Sequence, residues 1–546
     1  MFSKLGLLWR TVRHLKPVQF YGRLWFRYYE PKIDTAPAPK SSEFKGLSTR
    51  PARRDASMVR PFAWRFLNEE GTLDDLGWQD GRRSKLWRYN QHYFDDLNAI
   101  DASDRTEWHK DLIERWIAEN PPADGNGWEP YPTSLRIVNW VKWASSGNEL
   151  SPDAITSLAI QTRWLSRRLE WHLLGNHLFA NAKALIFAGL FFDGDKGQGW
   201  LSKGMQILEK QVPEQILEDG GQFELTPMYH ALALEDFLDL INICRANSSQ
   251  LSPSQSAQVL SWIETIPRIL TWLSAVSHPD GKISFFNDAA FGVAPENSEL
   301  FAYAKRLDFE TPRITSAIID LEKSGFVRMQ SERAVVIADI AEIGPSYLPG
   351  HAHADTLSFE LSVDGQRIFV NSGTSEYGLS SERLRQRGTP AHNTVCVNGR
   401  NSSEVWSGFR VGSRAQIIRR EVGCNGKRVF ASGCHHGYAR ENNGLTHSRK
   451  FSLDETNLCV SDELSRPAIA EARYHLNPDV TPVLNGADFG ELHVSNDQVL
   501  RWSVEGASQV ELEDSTWHPE FGILIPNKCI VAKFEGQYCK MRIDWG

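Results

Sequence analysis

Two histidines and an aspartate lie within residues 351–355 of the chain. His351 and His353 are separated by one residue, and in an extended backbone such a pair points to the same face. An imidazole exchanges a proton near neutral pH, and two imidazoles directed at the same point can also bind a metal ion. The pattern therefore predicts proton transfer or metal binding, with a pair of hydrogen-bonded structural histidines as the alternative.

The residues that follow these histidines have the pattern of a β-hairpin. Apolar and polar residues alternate from Leu357 to Val363, as in a strand with one buried face. Asp364-Gly365 is typical of a tight turn, and residues 367–370 continue as a second strand. The histidines therefore lie next to a predicted sheet.

Other polar pairs also stand at the ends of predicted elements. Asn176 and His177 precede residues 178–187, whose composition and spacing predict a buried helix. His392 and Asn393 precede a short β-like run. This context favours a functional interpretation of the histidines.

A second predicted helix begins after a loop rich in turn-forming residues. The loop, residues 219–224, ends at Glu224, and Thr226-Pro227 are a favourable N-cap and first helical residue. Tyr229 then falls in the first turn of the helix. The helix already has an apolar stripe at helical spacing, formed by Leu234, Phe237, Leu238 and Ile241. Tyr229 is not needed for that stripe and is a candidate functional residue.

With these segments in place, the chain resembles the heparinase II/III family of polysaccharide lyases. The matching segments follow the family order and are Trp87-Arg88-Tyr89-Asn90 with His92-Tyr93-Phe94, residues 131–136, Asn176-His177, Tyr229, residues 351–355 and residues 391–394. The resemblance implies an α+β multidomain fold, in which an N-terminal incomplete α/α toroid is followed by a C-terminal antiparallel β-sandwich. It also implies an active site in the cleft between them, where uronic-acid polysaccharides are cleaved by β-elimination.

The resemblance assigns catalytic roles to Asn176, His177, Tyr229 and His351. Elimination requires that the uronate carboxylate be hydrogen-bonded or neutralised, a role implied for Asn176 or His177. A base must remove the C5 proton and an acid must protonate the departing oxygen, and these roles fall to Tyr229 and His351 in either order. Because an ordinary tyrosine has a pKa of about 10, we expect neighbouring cations to lower the pKa of Tyr229 if it is the base.

Candidate substrate-binding residues come from the same segments and their surroundings. The formal net charge of −8 gives no overall attraction to a polyanion, so local basic residues must bind an anionic polysaccharide. Arginines alternate at positions 383, 385 and 387, just before the His392 segment. The predicted substrate-binding residues are Arg136, Glu224, Arg387, His392 and Asn393.

The resemblance also suggests one structural divalent metal, zinc or calcium, bound by His353, Asn371 and His392. Asn371 stands where the family pattern has an aspartate, and a neutral amide would bind zinc more weakly. In a simple hairpin Asn371 pairs near Ser358, about five residues or roughly 16 Å along the ladder from His353. The ligands converge only if the chain bends before Thr356, and a hydrogen-bonded histidine cluster is the alternative.

The chain divides into three parts on length and pattern. Its 546 residues exceed the size of a single core. Residues 1–60 form a basic, proline-containing segment, with a helical start near Leu8–Tyr29 and a mobile linker at residues 35–45. Residues 61–320 read as the helical toroid, and residues 321–546 as the sandwich. The segment Phe285–Asp288 is predicted to line the cleft near their junction.

Several classes of protein are disfavoured by composition. No basic run with interleaved aromatics indicates a nucleic-acid partner, and no apolar run of about 18 residues predicts a membrane span. Seven scattered cysteines form no metal-binding spacing. The first 20 residues lack the pattern of a signal peptide, which favours the cytoplasm but leaves a periplasmic or secreted location open. The oligomeric state is not predicted.

Three alternatives to a glycosaminoglycan lyase remain open at this point. The substrate could be alginate or a bacterial exopolysaccharide. A noncatalytic polysaccharide-binding or assembly protein could keep the same fold without the reaction. A glycoside hydrolase would need two positioned carboxylates, for which Asp219, Glu224 and Asp355 are the candidates.

Overall fold

Helices dominate the first part of the chain and antiparallel strands dominate the second. The computed structural model describes residues 2–440, 444–494 and 498–546. The fold is an incomplete α/α toroid followed by an antiparallel β-sandwich, as the resemblance implies. No helix in the described part of the chain is long and apolar enough to cross a membrane.

The chain opens with two helices, α1 (Phe2–Val12) and α2 (Pro17–Tyr28). A single helical start near Leu8–Tyr29 was expected, but Pro17 divides it, because the residue before a proline is driven out of the helical region. Lys16 accordingly has an extended backbone, with φ −70° and ψ 147°.

Residues 35–45 are not the mobile linker that their composition predicts. The carbonyls of Ala36 and Pro37 accept hydrogen bonds of 2.6 and 2.7 Å from the guanidinium of Arg163. The Asp193 carboxylate accepts bonds of 2.8 and 2.7 Å from the backbone and side chain of Ser42. The segment is therefore bound along the outside of the helical domain, which composition cannot reveal.

A small antiparallel sheet connects this segment to the helical domain. Its strands are β1 (Met58–Arg60), β2 (Ala63–Phe66) and β3 (Glu69–Thr72). The helices that follow are α3 (Leu73–Leu76), α4 (Lys85–Tyr93), α5 (Thr106–Glu119), α6 (Pro130–Ser145), α7 (Pro152–Arg167), α8 (Gly175–Phe191), α9 (Gly194–Gln215), α10 (Pro227–Ala246), α11 (Pro253–Ala275) and α12 (Asn297–Arg306).

Helix α8 is the central element of this domain. Nearly every residue of α8 is buried, and the helix packs against α6, α7, α9 and α10. Gly189 lets α9 approach closely, because a Cβ at this position would lie 2.4 Å from the backbone nitrogen of Leu201. A helix that is apolar on all sides requires neighbours on all sides, so α8 and its polar first turn are held rigidly.

The sandwich is built from antiparallel sheets. One five-stranded sheet contains β4 (Ile318–Leu321), β5 (Phe326–Gln330), β6 (Ala334–Asp339), β7 (Phe359–Val363) and β8 (Gln366–Phe369) in that order. The β7–β8 hairpin turns at Asp364-Gly365, as the sequence predicts. Helix α13 (Ser381–Arg387), β9 (Val395–Val397) and the short pair β10 (Val405–Trp406) and β11 (Arg410–Val411) come next.

The remaining strands complete one eight-stranded and one four-stranded sheet. They are β12 (Ile417–Asn425), β13 (Arg428–His435), β14 (His447–Leu453), β15 (Asn457–Leu464), β16 (Ala470–His475), β17 (Val480–Leu484), β18 (Phe489–Val494), β19 (Val499–Glu505), β20 (Gln509–Trp517), β21 (Ile525–Phe534) and β22 (Tyr538–Asp544). An eight-stranded sheet has the order β12-β13-β14-β15-β22-β19-β18-β17, and a four-stranded sheet has the order β20-β21-β16-β9.

An apolar cluster joins the two domains. It includes Leu225 and Trp272 of the toroid together with Phe326 and Ile337 of the sandwich, all buried. The Trp272 indole donates a 2.8 Å hydrogen bond to Ser324 Oγ. This junction holds the starts of α8 and α10 opposite the β6–β7 loop.

Candidate active site

The candidate active site lies where the N-terminal turns of α8 and α10 face the β6–β7 loop. The rings of Tyr229 and His351, one from each domain, are in contact, with centroids 4.1 Å apart and planes tilted by 36°. A Cβ on Gly175 would lie 2.5 Å from Leu348 Cδ2 and 3.3 Å from Glu224 Oε1, and Gly175 also has a positive φ of 53°. Glycine is therefore required where α8 meets the loop.

Asn176 and His177 are both half-buried in the first turn of α8. The Asn176 amide makes no hydrogen bond to the residues that the structure describes, so it is available to a ligand. His177 Nδ1 lies 3.2 Å from Glu170 Oε1. Burial disfavours the imidazolium, but the Glu170 carboxylate outweighs it and raises the pKa of His177.

Tyr229 is positioned by the helix cap that the sequence predicts. Its backbone N–H donates a 2.9 Å hydrogen bond to Thr226 Oγ1, and its hydroxyl lies 3.1 Å from the hydroxyl of Tyr377. The lowered pKa expected for a tyrosine base is not found: burial, followed by the influence of Tyr377, raises the pKa of Tyr229 well above its usual value. Tyr229 is therefore a neutral hydroxyl able to donate a proton.

His351 is oriented by Asp288. His351 Nδ1 lies 2.8 Å from Asp288 Oδ2, and the backbone N–H of Asp288 donates a 2.9 Å bond to the His351 carbonyl. A carboxylate can only accept, so a neutral His351 donates through Nδ1 and keeps a lone pair on Nε2. Its side chain retains 17% of its exposure, so His351 has the tautomer and access of a general base.

Asp288 is a buried carboxylate shared by several donors. Arg383 binds both of its oxygens, His353 Nε2 lies 2.8 Å from Oδ1, and Thr374 Oγ1 is 3.3 Å from the same oxygen. Burial alone would raise the pKa of Asp288, but Arg383 and the two histidines hold it well below its usual value. Asp288 therefore stays ionised.

Glu224 is a second buried carboxylate beside His351. Its Oε2 lies 3.8 Å from His351 Nε2, and burial raises its pKa. Gln222 contacts it at 3.4 Å. Of the predicted substrate-binding residues, Glu224 lies beside His351, whose ring contacts Tyr229.

Arg136 and Arg387 do not line the cleft. Arg136 has no exposed surface; its guanidinium binds Gln161 and the carbonyls of His92 and Gly127. Arg387 is equally buried and donates to the Ala352 carbonyl at 2.9 and 3.1 Å, which supports the loop between His351 and His353. Both predictions of substrate contact conflict with this burial, because a sequence does not reveal which arginines pair with backbone carbonyls.

His392 and Asn393 are also interior residues. The Asn393 amide donates to the carbonyl of Phe359 at 2.8 Å, and its oxygen accepts from the backbone N–H of His475 at 2.6 Å. His392 Nε2 lies 3.2 Å from His353 Nδ1. Neither side chain has exposed surface, so neither reaches a polymer in the cleft.

The predicted metal ligands form an incomplete set. His353 and His392 converge to 3.2 Å, and Leu357, which follows Thr356, has a positive φ of 65°. The Asn371 oxygen instead accepts the backbone N–H of Asn393 at 3.0 Å. Among the described residues no group of three or more His, Cys, Asp or Glu side chains could hold a metal. Structural zinc usually has four protein ligands and calcium prefers oxygen, so these residues do not fit either ion and the metal stays a prediction.

Two residues of the site, Tyr377 and Arg383, were not predicted from the sequence. Tyr377, on the β8–α13 loop, carried no recognisable signal. Arg383 belonged to the alternating arginines noted above, but it binds Asp288 inside the protein. Asp288 itself fell in the segment predicted to line the cleft, without an assigned role.

Two family models match most of the chain. The Heparinase II/III N-terminus model matches residues 77–305, and the Heparinase II/III-like, C-terminal model matches residues 313–546. Heparin-sulfate lyase of Bacteroides stercoris is 28% identical over 376 residues, which cover 59% of this chain and 55% of that protein. Heparin-sulfate lyase of Bacteroides thetaiotaomicron is 23% identical, with coverage of 59% and 52%. The chain thus spans about half the length of these curated relatives.

Solved structures share the fold across both domains. A crystal structure of heparinase III aligns with TM-score 0.66 and 16% identity over 97% of this chain and 89% of that one. Heparan sulfate lyase of Pedobacter heparinus aligns with TM-score 0.59 and 16% identity, covering 97% and 88%. These structures show the shared fold, and the two family models, which together cover most of the chain, show that it belongs to the heparinase II/III-like family.

Proposed function

We propose that the protein is a polysaccharide lyase that cleaves a uronic-acid-containing polymer, of glycosaminoglycan type, by β-elimination. The observation that carries the proposal is the ring contact between Tyr229 and His351, with His351 oriented by the ionised Asp288. The pair supplies a neutral hydroxyl and an imidazole lone pair at one accessible point. The curated relatives that bear the name heparin-sulfate lyase support the same class of reaction.

The first requirement of the reaction is to weaken the negative charge of the uronate carboxylate. Asn176 has an uncommitted amide, and His177 beside it has a raised pKa. A neutral donor next to an imidazolium stabilises the charge that develops when the C5 proton leaves. Asn176 and His177 are the carboxylate-binding residues of the proposed site.

Proton transfer is divided between His351 and Tyr229. His351 Nε2 takes the C5 proton, because Nδ1 is committed to Asp288. Tyr229 gives its proton to the departing oxygen, because its raised pKa keeps it neutral. The hydroxyl of Tyr377, 3.1 Å away, orients the Tyr229 hydroxyl and can hydrogen-bond to the phenolate that remains.

The three carboxylates considered for a hydrolase do not form a pair at the site, and Asp288, the other carboxylate beside His351, is held ionised by Arg383 and two histidines. Asp219 accepts bonds of 2.7 and 2.8 Å from Ser324 and serves the domain junction. Asp355 is buried and accepts the backbone N–H of Asn287 at 2.9 Å. Of the three candidates, only Glu224 approaches His351, whereas hydrolysis needs two carboxyl groups across the scissile bond.

Ultraviolet absorbance of the unsaturated uronate product tests the proposal. The protein is incubated separately with hyaluronan, chondroitin, heparan sulfate, alginate and an acidic bacterial exopolysaccharide. We expect absorbance to rise with a glycosaminoglycan and to stop rising in Tyr229→Phe. Tyr538→Phe, at a tyrosine of β22 that is 41% exposed, is the control.

Other outcomes separate the alternatives. A rise only with alginate or the exopolysaccharide reassigns the substrate. New reducing ends without absorbance indicate hydrolysis. Binding of a polymer without either product identifies a noncatalytic polysaccharide-binding protein.

A further inference from the structure

The outer face of α2 is an unpartnered apolar stripe. Phe20, Tyr21, Leu24, Trp25 and Tyr28 are 50–76% exposed. Their spacing places all five on one arc of the helix. Exposed apolar residues scattered singly are normal, whereas a contiguous stripe marks an interaction surface.

Helix α1 extends the same kind of surface. Leu5, Leu8 and Trp9, at i, i+3 and i+4, are 60%, 43% and 66% exposed. Together the two short helices contain eight of the large apolar side chains that are exposed in the described part of the chain. We call the eight side chains on α1 and α2 the N-terminal apolar surface.

The opposite faces of both helices are anchored to the protein. Gly22 packs against His172, where an added Cβ would lie 3.2 Å from the His172 Cβ, and Gln19 donates to the Tyr347 carbonyl at 3.1 Å. On α1, Arg10 binds Glu404 with two bonds of 2.6 Å. Each helix therefore has a docked face and a free apolar face.

The charge of the N-terminal segment indicates what covers the free apolar faces of α1 and α2. Residues 1–29 contain six lysines and arginines and no aspartate or glutamate, in a chain whose net charge is −8. Arg23 and Arg27 lie along one edge of the α2 stripe and are exposed. A basic helix with Trp, Leu and Phe on its apolar face has the composition of a helix that lies in a bilayer interface.

We propose that the N-terminal apolar surface docks the protein onto an anionic lipid bilayer. The helices lie in the headgroup region without crossing it, their apolar faces inserted and their basic residues among anionic headgroups. Tyrosine and tryptophan favour this interface because each ring has an apolar body and a polar group. A bilayer fits better than a polysaccharide, because Leu5, Leu8 and Leu24 add area for acyl chains but no plane for a sugar ring.

A groove beside α2 extends the surface toward the toroid. It has a volume of about 850 Å³ and is lined by Trp25, Phe26, Arg168, Trp171 and other residues. Trp171 is 41% exposed, and the Arg168 guanidinium lies 4.1 Å from the Phe26 ring centroid. A headgroup phosphate beside Arg168 would have an apolar wall for its acyl chain.

Vesicle co-sedimentation of the full chain tests the proposal. The protein is mixed with phosphatidylcholine vesicles, with or without phosphatidylglycerol. We expect it to sediment with the anionic vesicles and to be released by salt. The variant L24E/W25E should lower partitioning by about tenfold or more, with folding checked by circular dichroism. The control L260E changes a leucine on α11 that is 59% exposed, against 62% for Leu24.

Three results would overturn the proposal. The protein could stay in the supernatant with anionic vesicles, or L24E/W25E could bind as well as the control. Alternatively, light scattering could detect a dimer that L24E/W25E disperses while vesicles are not bound, which would make the surface an interface between two copies. None of these results depends on lyase activity, so the two proposals fail separately.

Discussion

His351 and His353 contact opposite oxygens of the same Asp288 carboxylate, yet their surroundings differ. Each lies 2.8 Å from that carboxylate. The His351 side chain is 17% exposed, and its ring centroid lies 4.1 Å from that of Tyr229. His353 has no exposure, and its other nitrogen faces His392 at 3.2 Å.

In the proposed mechanism, the difference separates a histidine that can reach a substrate from one enclosed in the interior. Burial lowers the pKa of His353 to about 4, in spite of the nearby Asp288, so this imidazole stays neutral inside the protein. His351 has the same carboxylate partner but opens onto the cleft. A shared hydrogen bond therefore does not identify the catalytic group; access to a substrate does.

Removing the charge of Asp288, which both histidines contact, should have the largest effect on stability and activity. Asp288→Asn leaves the buried Arg383 without its ionised partner, which we expect to cost about 3–5 kcal/mol of unfolding free energy. Lyase activity should fall with it, because His351 loses its orienting carboxylate. Urea unfolding and the absorbance assay measure the two effects, and an Asp320→Asn control removes a more exposed aspartate that pairs with Arg420. Unchanged stability would contradict a buried ion pair.

His351→Gln should separate activity from folding. We expect kcat to fall about 10²–10⁴-fold, the usual contribution of a general base, with little change in Tm. Single-turnover absorbance and thermal unfolding measure the two quantities. His436→Gln, at a partly buried histidine that contacts Gln416, is the control. Retention of most of the rate would assign proton removal to another group.

His353→Gln should lower stability more than activity, the reverse of His351→Gln. We expect a loss of about 1–3 kcal/mol of stability, because a buried hydrogen-bond partner of Asp288 and His392 is changed. The change in kcat should be much smaller than in His351→Gln. A loss of rate at full stability would show that the interior histidine takes part in the reaction.

The pH dependence of stability tests the same comparison of His351 with His353, and its expected effect is the smallest. Because the pKa of His353 falls from 6.5 to about 4 on folding, its contribution is fully present above pH 6.5 and is lost as the pH falls toward 4. The stability advantage of the native chain over His353→Gln should therefore shrink across this range. Urea midpoints at several pH values measure it. An advantage that grows on acidification would contradict a lowered pKa.

Local pattern was sufficient where a residue's structure depends on its neighbours in the chain. The α10 cap at Thr226 and the β7–β8 turn at Asp364-Gly365 were predicted and are confirmed. A helix was predicted to begin at the Asn176–His177 pair, and α8 begins at Gly175. Propensity, capping and alternation are local properties, so the sequence carries them directly.

Contacts between residues far apart in the chain could not be predicted from local pattern. Leu357, between His353 and β7, has a positive φ that the hairpin pattern did not predict, and His353 lies 3.2 Å from His392. Arg136 and Arg387 looked like ligands for a polyanion, and both pair with carbonyls in the interior. Local pattern does not encode such backbone reversals or the burial of an arginine.

The sequence by itself determined the types of element, the two-domain order, the family resemblance and the candidate roles of Asn176, Tyr229 and His351. Only the tertiary structure decided that Asp288 and Arg383 hold His351 in its tautomer, and that burial raises rather than lowers the pKa of Tyr229. The reason is physical: protonation and access depend on the whole environment of a side chain, which is assembled from residues far apart in the chain.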